Sequence, residues 1–251
     1  MSNFFKCIHR IAYHGIKPDL TVSFPNLVSS VLEASLLHSE STPYPMAWYA
    51  ANNVGFLLTN WQIEVKQYPK WNDELTIHTW PVHFKGIVAE RAFEVFDEAG
   101  SLLALANTGW VFTDLAKRRP ARPDAELIAG YGEHYPSALA KDFKLPDYKG
   151  YTSVNQAAIH VTRRDTDGNN HANNVSYLEW AMDLIPDHIY DRGRIIEMKT
   201  VYKRECLRGM SVLIEAFQNP VNEKLFIVRV TDAAQEVPLL LCEMFFKFGD
   251  M

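Results

Sequence analysis

Six polar side chains crowd the eight positions Asp167-Gly168-Asn169-Asn170-His171-Ala172-Asn173-Asn174, and Tyr177 and Trp180 follow at helical spacing. A helix start needs only one capping oxygen, usually from Asp, Asn, Ser or Thr. The surplus supplies a carboxylate, amides that orient a partner without titrating, and an imidazole that exchanges protons near neutral pH. A helix that follows directly offers unpaired N–H groups and a positive dipole end. Such a set suits chemistry in which negative charge develops on an oxygen, as in acyl transfer. The plainer reading is a polar loop with Asn174 as the cap and Asp167 in an Asx turn; the density of functional groups argues against it.

Metal chemistry fits poorly. Asp165, Asp167 and Asn169 mimic the opening ligands of a calcium loop, but Asn170 stands where glycine is required and Ser176 where the closing glutamate belongs. No second His or Cys lies at zinc spacing from His171. No metal and no other cofactor is expected.

A second run, Tyr202-Lys203-Arg204-Glu205-Cys206, closes a β-rich stretch from Ile195 to Cys206. Glu205 is either a surface residue paired with Lys203 or Arg204, or a base for activating water if it faces the helix start. Cys206 is either a nucleophile or, more commonly for its type, a buried structural thiol.

The elements that must position these residues read as follows. Phe4–Ile16 patterns as a strand and Pro25–Ser39 as a helix with Leu27, Val28, Val31, Leu32 and Leu36 on one stripe. A helical turn or two follows from Met46, then β-rich runs at Phe56–Gln67, Glu74–Pro81, Val88–Asp97 and Ser101–Asp114. Asp97-Glu98-Ala99-Gly100 signals a hairpin turn. After Arg119-Pro120 the pattern loosens into a connector with a short helix. The order then restarts with a strand at Thr152–Arg163, a helix at Asn174–Ile185, and runs at Ile195–Cys206, Ser211–Gln218, Leu225–Thr231 and Val237–Phe248. Strand, helix and meander occurring twice imply an internal duplication. An offset of 148 positions (167 less 19) sets Asp19 on Asp167 and Asn26 on Asn174, with Ser23 in place of His171.

Composition bounds the function. The chain has 251 residues, 47% hydrophobic and 22% charged, enough for a sizeable core and against wholesale disorder. A formal charge of −5 disfavours a general nucleic-acid binder. Cys7, Cys206 and Cys242 are few and scattered, as in a reducing compartment. No apolar run approaches the roughly 18 residues of a membrane span. The start lacks a signal-peptide core and a transit-peptide composition, so the expected location is cytoplasmic.

Taken together, the 167–180 run, Tyr202–Cys206, Tyr68-Pro69-Lys70-Trp71-Asn72-Asp73-Glu74 with Thr79-Trp80-Pro81, Gly109-Trp110-Val111 and Arg119-Pro120 resemble the acyl-acyl carrier protein thioesterases. These are bacterial-type relatives of the plant plastid enzymes that end fatty-acid synthesis. The resemblance implies an α+β double hotdog, two tandem units each with a long helix wrapped by an antiparallel sheet. Residues 1–124 would form a degenerate unit holding the acyl chain, 125–148 a connector, and 149–251 the catalytic unit. It assigns catalysis to Asp167, Asn169, His171 and Glu205, with Asn173, Asn174 and Cys206 in support. The partner would be acyl carrier protein bearing a phosphopantetheine-linked acyl chain. Because that carrier is acidic, Arg118, Arg119, Arg163, Arg164, Lys203 and Arg204 are docking candidates. A coenzyme A thioesterase, a non-catalytic acyl-binding module and a hotdog dehydratase are the alternatives. Pairing into a homodimer is left open.

Overall fold

The computed structural model describes residues 4–168, 170–234 and 239–250, and the chain divides into two compact units, Met1–Asp142 and Phe143–Met251. In the first unit, β1 (Phe5–Arg10) leads through a 3-10 turn at Tyr13–Gly15 to α1 (Phe24–Glu40) and α2 (Met46–Asn52). Then come β2 (Val54–Val65), β3 (Glu74–Lys85), β4 (Val88–Phe96), β5 (Leu102–Asp114), β6 (Arg119–Pro120) and α3 (Ala125–Gly130). The strands pair antiparallel in the order β1-β3-β4-β5-β2, with β6 alongside β5. Helix α1 begins at Phe24-Pro25, where proline is tolerated because the first N–H groups have no intrahelical partner. It buries Leu27, Val28, Val31 and Ala34 at helical spacing, and buried Trp61, Ile63, Ile77 and Phe93 line strands of the sheet. Each buried Leu, Val, Ile or Phe among these contributes on the order of 1.5–3 kcal/mol.

The second unit runs β7 (Thr152–His160), a 3-10 turn at Arg163–Asp165, α4 (Asn174–Met182) and α5 (Asp187–Tyr190). It continues with β8 (Gly193–Tyr202), β9 (Ser211–Gln218), β10 (Leu225–Asp232) and β11 (Leu239–Asp250), all antiparallel in the order β8-β11-β10-β9-β7. The buried residues of α4, among them Tyr177, Leu178, Ala181 and Met182, share this unit's core with Met198, Ile214, Val228 and Phe246. Strand for strand, the order matches that of the first unit, so each is a hotdog and the α+β double hotdog holds.

Several boundaries differ from the sequence reading, each for a local reason. Strands β1 and β7 stop at Arg10 and His160 because the 3-10 turns take over the backbone there. Helix α4 ends at Met182 rather than Ile185. The Leu184 and Ile185 N–H groups bond the carbonyls three residues back, and Pro186 disfavours helical backbone before it. Strand β8 ends at Tyr202, so Glu205 lies in a loop and not in a β-run. There the Lys203 and Arg204 N–H groups both converge on the Leu241 carbonyl and the chain leaves the sheet. The expected start of the last strand, Val237, lies outside the described residues.

The stretch read as a connector is also more ordered than its composition suggested. Residues up to Asp142 pack on the first unit: Asn107 donates to the Leu139 carbonyl at 2.9 Å, Gln62 to Ala140 at 3.0 Å, and the Trp80 indole to Pro136 at 2.8 Å. Leu127 and Tyr131 join Tyr49 and Phe112 in a buried cluster. Asp124 caps α3 by accepting from the Leu127 N–H. No helix among the described residues is long and apolar enough to cross a membrane.

Candidate active site

Main-chain pairing builds the site in the second unit. The loop between the 3-10 turn and α4 closes on itself through a bridge between Thr166 and Ala172, with the Asp167 N–H donating to the His171 carbonyl at 2.9 Å. Asn170 takes a left-handed backbone, φ 60°, a conformation Asn tolerates. The segment beyond β8 then runs alongside. His171 bridges Leu207, the Ala172 N–H donates to the Cys206 carbonyl at 2.7 Å, and the Arg208 N–H to Asn170 at 3.3 Å. Glu205 is thereby carried beside His171, Oε1 to Nε2 at 4.0 Å, with both side chains roughly one-third exposed at 33% and 27%.

The other expected residues fall around this pair. Asp167 is exposed and its carboxylate accepts from the His171 N–H at 3.3 Å. Asn169 lies outside the described residues. Asn173, rather than Asn174, is the helix cap: its side chain accepts from the Val175 N–H at 3.0 Å, and its carbonyl from Ser176 at 2.9 Å. Asn174 is the first helical residue, and its carbonyl receives the Tyr202 hydroxyl at 3.4 Å. Cys206 is buried beneath the loop. Burial, partly offset by a hydrogen bond from Tyr177, pushes its thiol up to about 11. Arg163, Arg164, Lys203 and Arg204 are exposed and flank the loop in sequence, whereas Arg118 and Arg119 belong to the first unit.

One residue of the site carried no role in the sequence reading. Asp165 is buried at 5% exposure, and its carboxylate accepts from the Thr162 N–H at 2.7 Å, the Thr162 hydroxyl at 2.6 Å and the Trp180 indole at 3.4 Å. Burial by itself would raise this carboxyl; the Thr162 and Trp180 hydrogen bonds and the Arg164 charge outweigh it and hold the group below its usual range. The readable signal was Thr162-x-x-Asp165, the spacing of a capping box.

The first unit repeats the loop's backbone with other side chains. A bridge between Ile16 and Val22 matches that between Thr166 and Ala172, an offset of 150 positions (16 to 166) rather than 148. The Val22 N–H donates to Pro69 as Ala172 does to Cys206, and Leu20, φ 67°, occupies the place of Asn170. The equivalents of Asp167, His171 and Glu205 are therefore Lys17, Thr21 and Tyr68.

Two tandem hotdogs, with the His171–Glu205 pair at the loop of the second and no such pair at the equivalent loop of the first, define a duplicated hotdog protein. Residues 2–131 match the acyl-ACP thioesterase N-terminal domain and residues 148–236 the acyl-ACP thioesterase C-terminal domain. The chain belongs to the acyl-ACP thioesterase family. It is 26% identical over 232 residues to the chloroplastic acyl-[acyl-carrier-protein] hydrolase FATB3 of Cuphea viscosissima, covering 87% of this chain and 56% of that one. To the chloroplastic oleoyl-acyl carrier protein thioesterase 2 of Arabidopsis thaliana it is 31% identical over 157 residues, covering 57% and 42%. The chain thus spans about half the length of the curated relatives it matches. Among solved structures, an acyl-ACP thioesterase from Bacteroides thetaiotaomicron superposes with a TM-score of 0.82 at 20% identity, covering 98% of each chain. A 12:0-ACP thioesterase from Umbellularia californica does so with 0.84 at 18% identity, covering 100% of this chain and 99% of that one.

Proposed function

We propose that this chain hydrolyses the thioester of fatty acyl-acyl carrier protein, releasing the free fatty acid and the carrier's phosphopantetheine thiol. The observation that carries the reading is the His171–Glu205 pair at 4.0 Å on the edge of a helix start, in a chain of this family. That separation is longer than a direct hydrogen bond and leaves room for both groups to hold a third polar group between them. Glu205 takes a proton from a water, whose oxygen bonds to the acyl carbon, and His171 and Asn169 hold the water and thioester in line. Asp167 fixes the His171 backbone. Among the described residues the Val175 and Ser176 N–H groups are consumed by the Asn173 cap, so the Asn174 N–H is the helix donor left for the tetrahedral oxyanion. The carbon–sulfur bond then breaks and the leaving thiolate takes up the proton, so protons balance over one turnover. Arg163, Arg164, Lys203 and Arg204 give an acidic carrier a cationic rim beside the site. The first unit, with Thr21 and Tyr68 at the equivalent positions, serves the acyl chain and not the chemistry.

The test is thiol release from a panel of acyl-acyl carrier protein and acyl-coenzyme A substrates, with wild type and Glu205→Ala side by side. Carrier-protein turnover that falls at least 10²-fold in the variant supports both the reaction and the base. Faster hydrolysis of the coenzyme A series would replace the partner. A near-normal turnover number in the variant would remove Glu205 from the role.

A further inference from the structure

We propose that Asp165 is the positioning residue of this site, a carboxylate that locks the loop carrying Asp167 and His171 against α4; the inference rests on the hydrolytic reading above. Two kinds of bond meet at this residue. Its backbone carbonyl accepts from the Asn173 N–H at 2.8 Å and from the Ser176 hydroxyl at 3.0 Å, tying the turn to the start of α4. Its side chain reaches back to Thr162 and forward to Trp180, a span from one turn before the loop to the second turn of the helix. The segment from Thr166 to Ala172 is thus clamped at both ends, and the backbone that carries the imidazole cannot shift without breaking these bonds.

The first unit provides the internal control. There the same loop closes through the same backbone bonds, with Ser23 N–H donating to the Gly15 carbonyl at 2.8 Å. Gly15 stands where Asp165 does, and Ala12 and Ser30 stand where Thr162 and Trp180 do, by the shared offset. A Cβ on Gly15 would come within 2.8 Å of the Asn26 side chain, so that repeat has no space for the carboxylate. The backbone loop therefore forms without the acid. Asp165 and both its partners occur only in the repeat that carries the His171–Glu205 pair. A group that the fold does not need, buried and accepting three hydrogen bonds at the foot of the loop that carries His171, is there to hold that loop in place.

The experiment compares wild type, Asp165→Ala and Asp165→Asn. It measures kcat and KM separately, at a temperature well below each protein's unfolding midpoint, and follows amide hydrogen exchange across residues 162–176. Misplacement of reacting groups by about an ångström costs on the order of 10²-fold in rate. Asp165→Ala is expected to lose about that in kcat with KM within threefold, and to lose protection from exchange only within the loop. Asp165→Asn keeps an oxygen for Thr162 and recovers at least a tenth of the wild-type kcat. Unchanged kcat and exchange in Asp165→Ala would overturn the proposal, as would a loss of protection spread over the whole second unit. If wild type hydrolyses no thioester, the functional reading fails on its own. Exchange confined to the loop would then still support the clamp, and unaltered exchange would still sink it.

Discussion

At the scale of single residues, Cys206 separates two readings that its sequence neighbourhood leaves open. A nucleophilic cysteine needs thiolate at working pH and access to substrate. Here the thiol is buried and its pKa stands near 11, so at pH 8 only about one molecule in a thousand carries the thiolate. Cys206→Ala is expected to keep the turnover number within about fivefold, and iodoacetamide at pH 8 to leave hydrolysis intact over an hour. Stoichiometric alkylation with loss of activity would make Cys206 a participant instead. The residue types at this site were readable because Asp, Asn and His at that density exceed what a cap needs. The place of Glu205 was not, because the pairing that sets it beside His171 joins residues more than thirty positions apart through main-chain atoms, which no side-chain pattern encodes. Asp165 lay between: its capping-box spacing was visible, but its burial depended on Trp180 reaching back over the turn.

At the scale of elements, the docking of α1 on β1 and β3 carries a titratable group whose cost can be measured. His38 on α1 is buried, stacked on Phe5 at 5.1 Å, edge-on to Tyr131, and receives the Arg91 guanidinium on Nδ1 at 2.8 Å. Arg91 also donates to the Thr79 hydroxyl at 3.1 Å and lies over the Tyr131 ring. Burial first, and the Arg91 charge second, lower the His38 pKa from 6.5 to about 3. Between these values the unfolded chain binds a proton that the folded chain refuses, so stability falls as pH drops below 6.5 and stops falling on this account near 3. By pH 4.5 the loss amounts to on the order of 2 kcal/mol. His38→Gln keeps an acceptor for Arg91 but does not titrate. Urea unfolding of the variant from pH 7 to 4.5 is therefore expected to show a shallower decline than wild type; parallel declines would show that His38 protonates freely in the folded protein. The helix itself was legible from its apolar stripe and Phe24-Pro25 start. This polar cluster was not, since its members come from α1, β1, β3, β4 and the stretch after α3.

At the scale of the whole chain, the duplication was legible as an order of elements but not as a register. Matching side chains put Asp19 on Asp167, whereas the backbone bonds set the offset two positions further on. What the two repeats share is main-chain geometry: the bridge that closes the loop, the bond into the segment after the long strand, and one left-handed residue at the loop's turn. In the second repeat that residue is Asn170, suited to φ 60°; in the first it is Leu20 at φ 67°, a conformation that costs a Leu roughly 1–2 kcal/mol. Leu20 is 48% exposed, so little packing offsets that strain. Giving the first repeat the residue its twin already has, Leu20→Asn, is therefore expected to stabilise the protein by about 1 kcal/mol, seen as a rise of roughly 2–4 °C in the unfolding midpoint of the unit that melts with residues 4–142. Hydrolysis should not change, because Leu20 belongs to the repeat whose loop carries neither His171 nor Glu205. A lower midpoint would mean that the Leu20 side chain contributes more than its exposure implies. A change in turnover would mean that the loop of the first unit takes part in the reaction, and that the division of labour between the repeats is wrong.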